Sequence, residues 1–385
     1  MFGFKIPLAK ADITEGDILA VTECLRSGIV SNGPQIKAFE DEFARFVGAN
    51  HAIAVSSGTA ALHLSLLAAG VTEGSEVITS PFSFIASANS IRMCGAKPVF
   101  VDIDARTLNL DPALVEAAIT DKTKAILPID IFGLPHDLKI DEIAESRKLP
   151  VIADSCEALG AEASGSQVGS SGTASCFGFY ANKQLTTGEG GMITTDDTRI
   201  EGLCRSLRNH GRGPDASWLS HENFGFNYRM TEMSAALGRS QLSRMNETVA
   251  RRKALAEVYS TELIPLYGDL APLPAFAGSL RSWFVYPIIC RKPEWRERLV
   301  LGLADRGIQA GRYFSPPIHL QDCYRNEYGF KGGEFPATEA ISERILSVPF
   351  YPGMSDEEVR TVVKALWSAL EDIPTSRATM RIPRA

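Results

Sequence analysis

The sequence lacks the features that mark membrane, secreted and disulfide-linked proteins. No window approaches the roughly 20 consecutive apolar residues of a membrane-spanning helix, and the N-terminus has no basic-then-apolar leader. The seven cysteines are scattered and include no C-x-x-C pair, so neither a disulfide framework nor a metal site is expected. We therefore expect a cytoplasmic protein without a membrane partner.

Common nucleotide-binding and catalytic motifs are also absent. The chain has no G-x-G-x-x-G after a strand, no G-x-x-x-x-G-K-[ST], no H-E-x-x-H and no G-x-S-x-G. These absences argue against dinucleotide-binding, NTP-binding, zinc-peptidase and serine-hydrolase functions. The net charge is −7, from 39 basic and 46 acidic residues, which argues against a nucleic-acid partner.

The first two-thirds of the chain contain an alternation of short β-branched runs and helical patterns. The predicted strands are 52–55, 76–79, 98–103, 125–130, 150–154, 174–180 and 191–195, and the predicted helices between them include 59–69, 84–94, 111–119 and 137–147. This alternation predicts an α/β fold with a mostly parallel sheet that is covered by helices on both faces. Ligands of such sheets bind at the carboxyl ends of the strands.

The pattern changes near residue 246, where a long polar amphipathic helix begins. A strand-like stretch at 283–290 follows, and a closing helix is predicted after Ser355, which is a suitable cap. We therefore predict a large domain over residues 1–245 and a smaller C-terminal α+β domain over residues 246–385.

Three short stretches carry candidate chemistry. In "SSGTAALHLSLLAAG" (56–70), Ser57, Gly58 and Thr59 begin a helix directly after a strand and could bind an anion, although an ordinary helix cap explains this stretch alone better. The strand at 150–154 delivers Asp154 to its carboxyl end, where it is either a partnered buried carboxylate or a helix cap. In "GFYANKQLTTGEGG" (178–191), Lys183 is either a nucleophilic amine in an apolar pocket or a surface residue on a glycine-rich hairpin.

Taken together, these stretches fit pyridoxal 5′-phosphate (PLP). This cofactor needs a phosphate cup, a lysine that captures its aldehyde and an acid that keeps its ring nitrogen protonated. It also needs an aromatic ring against its face. Phe84, after the predicted strand 76–79, can supply that ring, although core packing is the simpler explanation of one phenylalanine.

Long stretches of the chain resemble the DegT/DnrJ/EryC1/StrS sugar aminotransferases. The resemblance covers almost the whole chain and includes "LRSGIVSNGPQIKAFEDEFARFVGANHAIAVSSGTAALHLSLLAAG", "FGFYANKQLTTGEGGMITT", "FGFNYRMTEMSAALGRSQL" and "GRYFSPPIHLQDCY". It implies the fold-type-I PLP-dependent transferase fold. It also implies transfer of an amino group from glutamate to a nucleotide-linked keto sugar, with release of 2-oxoglutarate and with pyridoxamine 5′-phosphate as the intermediate cofactor form.

The resemblance assigns a role to each matched residue. Lys183 matches the lysine that forms the internal aldimine and then moves the proton, and Asp154 matches the partner of the pyridine nitrogen. Gly58 and Thr59 match phosphate contacts, and Phe84 matches the stacking ring. The remaining matches are Asn227, which reaches the cofactor phosphate of a neighbouring subunit and so implies a homodimer with shared active sites, and the sugar-side positions Arg229, Tyr313 and His319.

Two positions depart from the usual pattern of this family. Glu157 stands where glutamine or histidine is usual, beside the cofactor's 3′-oxygen, and Gly178 stands where serine usually contacts the phosphate. Asn182 is expected to supply the lost donor. Both departures resemble the subgroup similar to GDP-perosamine synthase, which predicts a 4-keto-6-deoxyhexose substrate such as GDP-4-keto-6-deoxymannose.

Three other functions stay open on the sequence alone. A sugar dehydratase of the same fold would have histidine in place of Lys183, so transamination is favoured. A transaminase for another substrate would share all the motifs above. A non-catalytic PLP-binding regulatory protein is the third alternative.

Overall fold

The computed structural model describes residues 3–213 and 220–373 of the chain. The helices are α1 (Glu15–Arg26), α2 (Pro34–Val47), α3 (Gly58–Ala68), α4 (Ala86–Met93), α5 (Pro112–Ala117), α6 (Lys139–Arg147), α7 (Thr198–Arg208), α8 (Glu232–Ser243), α9 (Met245–Glu262), α10 (Pro293–Asp305), α11 (Asp322–Tyr328), α12 (Pro336–Ser342) and α13 (Asp356–Glu371). The strands are β1 (His51–Val55), β2 (Glu76–Thr79), β3 (Lys97–Phe100), β4 (Thr123–Leu127), β5 (Ile152–Asp154), β6 (Glu162–Ala163), β7 (Ser166–Gln167), β8 (Ala174–Gly178), β9 (Gly191–Thr195), β10 (Leu270–Pro272), β11 (Ser279–Leu280), β12 (Tyr286–Cys290) and β13 (Ile345–Val348).

The central sheet is mostly parallel, as the alternation predicts. Its strands pair as β3-β2-β4 and as β5-β8-β9-β1, and parallel bridges such as Ile129 to Asp154 connect the two parts beside β4 and β5. Only β9 runs antiparallel to its neighbours β8 and β1. The carboxyl ends of the parallel strands therefore meet at one edge, and β1, β2, β5 and β8 all lead into the candidate stretches.

Helix α3 is buried on nearly all sides and packs against β8 and β9. Its sequence, GTAALHLSLLA, is apolar around the whole circumference, which is typical of a helix inside a protein core. Leu62, Leu64 and Leu66 are at most 1% exposed. This packing holds the N-terminus of α3 at the carboxyl edge of the sheet.

Three predicted strands end earlier in the structure than in the sequence pattern. The predicted strand 98–103 ends at Phe100, the predicted strand 125–130 ends at Leu127 and the predicted strand 174–180 ends at Gly178, whereas the predicted strand 150–154 begins late, at Ile152. In the three early endings apolar residues continue past the last residue of the strand, so periodicity alone extends it. The chain leaves the sheet there to form the loops at its carboxyl edge.

The C-terminal part is an antiparallel sheet with the order β10-β12-β13, packed by α9, α10 and α13. Ser355 caps α13 through a capping box with Glu358, which confirms the predicted cap. Ile6 packs in this core and bridges Ile308, so the first residues of the chain join the C-terminal core. The domain boundary between residues 245 and 246 stays a prediction, and it does not account for this N-terminal segment.

Across the part of the chain that the structure describes, every helix is too short or too polar to cross a membrane.

Candidate active site

Lys183 lies in the loop after β8, and its amine is enclosed. The Nζ atom is 3.6 Å from Glu157 Oε1 and 3.9 Å from the centroid of the Phe284 ring, and the side chain is 16% exposed. A surface hairpin, the alternative for this stretch, would leave the amine in solvent. The structure instead places it between one carboxylate and one aromatic face.

Glu157 is held so that one oxygen faces the lysine. Its Oε2 accepts the backbone N–H of Phe132 (2.9 Å), and its backbone carbonyl accepts a hydrogen bond from the Gln184 amide. Burial raises the pKa of the Glu157 carboxyl, against the opposing effects of Lys183 and of the Phe132 N–H. The Phe132 N–H therefore fixes the side chain, and Oε1 is left to contact Nζ.

Asp154 ends β5 and is 7% exposed. Its Oδ2 accepts a hydrogen bond from Ser87 Oγ (2.7 Å), and its Oδ1 accepts the backbone N–H of Cys156 (3.2 Å). Within the described residues, 3–213 and 220–373, no basic side chain comes within ion-pair distance of this carboxylate. Because a buried carboxylate is costly without a cation or several donors, Asp154 fits a protonated ring nitrogen of a bound ligand.

Phe84 precedes α4 and is 63% exposed. The Phe84 carbonyl accepts the backbone N–H of Ser87, the residue whose hydroxyl binds Asp154. A ring that is exposed to this extent is not packed in the core and is accessible to a ligand. The core-packing alternative for Phe84 is therefore wrong.

The N-terminus of α3 forms a tight turn against β8. Ser57 caps the helix by accepting the Ala60 N–H (3.1 Å), and residues 57–59 are half-buried. A Cβ atom on Gly58 would lie 2.8 Å from Cys156 Sγ and 3.2 Å from the Cα of Gly178. Only glycine permits this approach, and the free N–H groups of the first helical turn can bind a phosphate.

The described residues thus fit PLP. A helix N-terminus, a buried acid, an exposed aromatic ring and an enclosed amine come from four strand ends on one edge of the sheet. Asn182 adds an Oδ1 atom that is buried without a hydrogen-bond partner within the described ranges. Each group that the cofactor needs is therefore available at this edge.

Tyr313 borders this site. Its ring centroid is 6.0 Å from that of Phe284, the ring that lies against the Lys183 amine. Burial, together with the negative charge of Glu157, raises the pKa of Tyr313 to about 12, so the hydroxyl stays protonated. The expected contact of Asn182 with the phosphate stays a prediction.

His319 has its contacts elsewhere. It is fully buried, its Nε2 is 3.1 Å from Glu339 Oε1, and its ring packs against Phe335. Burial lowers the pKa of His319, although Glu339 opposes this effect. Glu339 also accepts backbone N–H groups of the loop at 333–335. The structure therefore does not bring His319 to Lys183 through any contact of the described residues, and its role at the sugar stays a prediction.

Asn227 and Arg229 also have their contacts away from Lys183. Asn227 is exposed and pairs through its backbone with Asn209, whose side-chain oxygen accepts a hydrogen bond from Arg229 Nη1 (3.0 Å). Arg229 lines a surface cavity of about 670 Å³. Such positions are compatible with residues that serve a neighbouring subunit, and that role stays a prediction.

Several site residues were missed by the sequence analysis, among them Phe284, Ser87, Cys156 and Gln184. Phe284 falls in the strand-like stretch 283–290, which has the pattern of a core strand. Nothing in a local pattern connects it with Lys183, because their contact depends on how the C-terminal part packs on the large sheet.

Comparisons with known proteins identify the family of the chain. The model of the DegT/DnrJ/EryC1/StrS aminotransferase family matches residues 11–367. The UDP-4-amino-4-deoxy-L-arabinose–oxoglutarate aminotransferase of Shewanella sediminis is 38% identical, over 94% of this chain and 97% of that protein. The GDP-perosamine synthase of Escherichia coli O157:H7 is 35% identical, also over 94% of this chain and 97% of that protein.

A solved structure extends the similarity to three dimensions. A Streptococcus pneumoniae protein, described as a sugar aminotransferase in its PLP form, superposes with a TM-score of 0.89 at 29% identity. The superposition covers 94% of this chain and 98% of that one.

Proposed function

Since the chain belongs to the DegT/DnrJ/EryC1/StrS aminotransferase family, we propose that it transfers the amino group of glutamate to a nucleotide-linked keto sugar. The chain is a sugar aminotransferase with the fold-type-I architecture, and its cofactor is pyridoxal 5′-phosphate. The identities of the amino donor and of the sugar acceptor are what we propose.

The position of Lys183 is the observation that supports transamination most directly. Its amine lies 3.6 Å from Glu157 and against the Phe284 ring, at the same sheet edge as Asp154. An enclosed lysine is needed both to attack the cofactor aldehyde and to move a proton afterwards. A dehydratase of this fold would have histidine at this position.

The residues divide the work of the reaction. When bound, PLP supplies an aldehyde that captures amines and a ring that takes up the electrons released at the substrate carbon. Lys183 is the nucleophile and the proton carrier, and its proton leaves from or arrives at Nζ. Asp154 would keep the ring nitrogen of the bound cofactor protonated, and Ser87 orients that carboxylate. The first turn of α3 would hold the phosphate.

Glutamate is the proposed amino donor and a GDP-linked 4-keto-6-deoxyhexose, such as GDP-4-keto-6-deoxymannose, is the proposed acceptor. The similarity to GDP-perosamine synthase and the residues Glu157 and Gly178 support this acceptor. The name of the Shewanella relative contains oxoglutarate, which supports glutamate as donor, and the same name contains a UDP sugar. A UDP-linked 4-keto sugar is therefore the alternative acceptor.

A homodimer with shared sites is part of the same proposal. Asn227 is exposed, and the ring of Phe224, nearby in the chain, is 88% exposed. A neighbouring subunit that uses Asn227 would also cover this region. The cytoplasmic location stays a prediction.

An absorbance experiment tests the proposal in two stages. The full-length protein loaded with PLP should lose its aldehyde-derived absorbance band when glutamate is added, and 2-oxoglutarate should form. Addition of GDP-4-keto-6-deoxymannose should then restore the band and yield an amino sugar by mass spectrometry, with the UDP-linked 4-keto sugar as the matched comparison.

Each contrary result points to a different alternative. Turnover with keto acids but with neither sugar would indicate a transaminase of another substrate. Loss of a sugar hydroxyl without gain of nitrogen would indicate a dehydratase. A band that no amino donor changes would indicate a non-catalytic PLP-binding protein.

A further inference from the structure

A chain of two buried hydroxyl groups ends at the Asp154 carboxylate. Ser83 is 6% exposed and Ser87 is fully buried. Ser83 Oγ lies 2.8 Å from Ser87 Oγ, and Ser87 Oγ lies 2.7 Å from Asp154 Oδ2. Ser83 lies after β2, Ser87 lies in the first turn of α4 and Asp154 ends β5. The hydroxyl chain therefore connects three segments at the carboxyl edge of the sheet.

The single hydrogen of the Ser87 hydroxyl has three acceptors within reach. Besides Asp154 Oδ2, these are Ser83 Oγ and the Phe84 carbonyl oxygen, which is 3.2 Å away and already accepts the Ser87 backbone N–H. A carboxylate is the strongest acceptor of the three, because hydrogen bonds to charged groups are stronger than those between neutral groups. The Ser87 hydrogen therefore points at Asp154, and Ser83 donates its own hydrogen to Ser87 Oγ.

Two hydroxyl groups in series should bind the carboxylate more strongly than one. A hydroxyl that accepts a hydrogen bond becomes a better donor, because the bonds of a chain polarise one another. Hydrogen bonds to a carboxylate favour its ionised form. In the described residues the other hydrogen bond to the Asp154 side chain comes from the Cys156 backbone N–H. The hydroxyl chain is thus one of two sources of stabilisation for this buried charge.

We propose that Ser83 is a positioning residue for the reaction and that it acts through Ser87 on Asp154. The inference rests on the role of Asp154 proposed above, in which the charged carboxylate keeps the ring nitrogen of bound PLP protonated. Loss of either hydroxyl should make the carboxylate a stronger base and shift that proton from the ring nitrogen toward Asp154.

The ¹⁵N NMR signal of PLP labelled at its ring nitrogen reports this proton directly. In the full-length, PLP-loaded protein, Ser87→Ala should move the signal toward that of the unprotonated ring. The rate of the half-reaction with saturating glutamate should fall about tenfold, because a hydrogen bond to a charged group is lost. Ser83→Ala should move the signal in the same direction, with a decrease of about twofold to threefold, because it only weakens the bond that Ser87 makes.

Ser90→Ala is the matched control. Ser90 is a buried serine of the same helix, and its hydroxyl donates to the Ser87 carbonyl (2.8 Å) rather than to a carboxylate. This variant should keep the parent signal and rate. Thermal unfolding of each cofactor-stripped variant shows whether it is folded, and alanine is well tolerated within a helix. If Ser87→Ala does not fold, the comparison of Ser83→Ala with Ser90→Ala decides the question.

A double-mutant cycle tests whether Ser83 acts through Ser87. In the Ser87→Ala background, Ser83→Ala should change the rate by less than about 1.5-fold, because the bond that it strengthens is already gone. The proposal is overturned if Ser83→Ala has the same effect in both backgrounds, or if it behaves as Ser90→Ala does.

Asp154→Asn distinguishes failure of this inference from failure of the proposed site. It should move the ring-nitrogen signal at least as far as Ser87→Ala does. An unmoved signal in Asp154→Asn would refute the role of Asp154 and the hydroxyl chain together. A moved signal in Asp154→Asn with an unmoved signal in Ser87→Ala would overturn the hydroxyl chain alone.

Discussion

Two buried aspartates follow neighbouring strands of the central sheet and have opposite surroundings. Asp130 follows β4 and is saturated: its Oδ2 accepts from Ser155 Oγ (2.6 Å), and its Oδ1 contacts both the backbone N–H (2.8 Å) and the Nδ1 (2.7 Å) of His136. Asp154 ends β5, accepts one hydroxyl and one N–H, and has no basic partner in the described residues. The Asp130 N–H donates to the Asp154 carbonyl, so the two acids are adjacent.

The basic residues of the two regions, His136 near Asp130 and Lys183 in the candidate site, also differ in how completely they are paired. His136 lies within hydrogen-bond distance of both Asp130 and Asp141, which together raise its pKa to about 10 although burial opposes them. Lys183 is 3.6 Å from Glu157, too far for a strong hydrogen bond. A saturated network stabilises the fold, whereas an incompletely paired one is available for a ligand.

The largest effect should come from Lys183→Ala, which removes the amine from the incompletely paired region around Asp154 and Glu157. We expect turnover to fall by at least about a thousandfold, because both the nucleophile and the proton carrier are lost. Pyridoxamine 5′-phosphate should still bind, as judged by its absorbance after gel filtration. Sustained amination of the sugar by this variant would refute the role of Lys183.

Asp154→Asn should have the next largest effect. Turnover should fall about a hundredfold or more, since the amide cannot hold a proton on the ring nitrogen. The free energy of unfolding of the stripped protein should change little, because an uncompensated buried charge is removed. A variant with near-normal turnover would show that Asp154 is a structural cap.

Asp130→Asn is the matched change in the saturated region and should act on stability. Breaking a buried pair while one partner remains costs about 3 kcal/mol, measurable by urea unfolding. The rate per folded molecule should be retained. Comparable loss of turnover in the Asp130→Asn and Asp154→Asn variants would abolish the distinction between the two regions.

The pH dependence of stability should separate the regions further. His136 has a pKa raised from its ordinary 6.5 to about 10, so its ion pairs contribute fully below pH 6.5 and are lost as the pH rises through about 10. The parent should therefore lose stability between these values relative to His136→Gln, in urea unfolding at a series of pH values. Parallel curves for the two proteins would contradict the assignment.

Glu157→Gln should have the smallest effect. The amide oxygen can still accept the Phe132 N–H, but the group that faces Lys183 no longer titrates. We expect a decrease in kcat/KM of about tenfold or less, with a changed acidic limb in its pH profile. An unchanged profile would mean that Glu157 does not exchange a proton during the reaction.

Much of the fold could be predicted from local patterns. The alternation of strands and helices, the buried helix α3 and the cap at Ser355 depend on residues a few positions apart, so the sequence displays them directly. The candidate site was also partly visible, because the carboxyl ends of parallel strands must share one edge. The resemblance to a family then added roles that the patterns alone left open.

What the sequence by itself determined is the order of the elements and the placement of Gly58, Asp154 and Lys183 at strand ends. Only the tertiary structure decided that Phe284 lies under the Lys183 amine, that the Phe132 N–H holds Glu157 and that Ile6 joins the C-terminal core. Periodicity and capping are short-range properties of the chain. Contacts between distant segments arise from the packing of whole elements, and no local pattern encodes them.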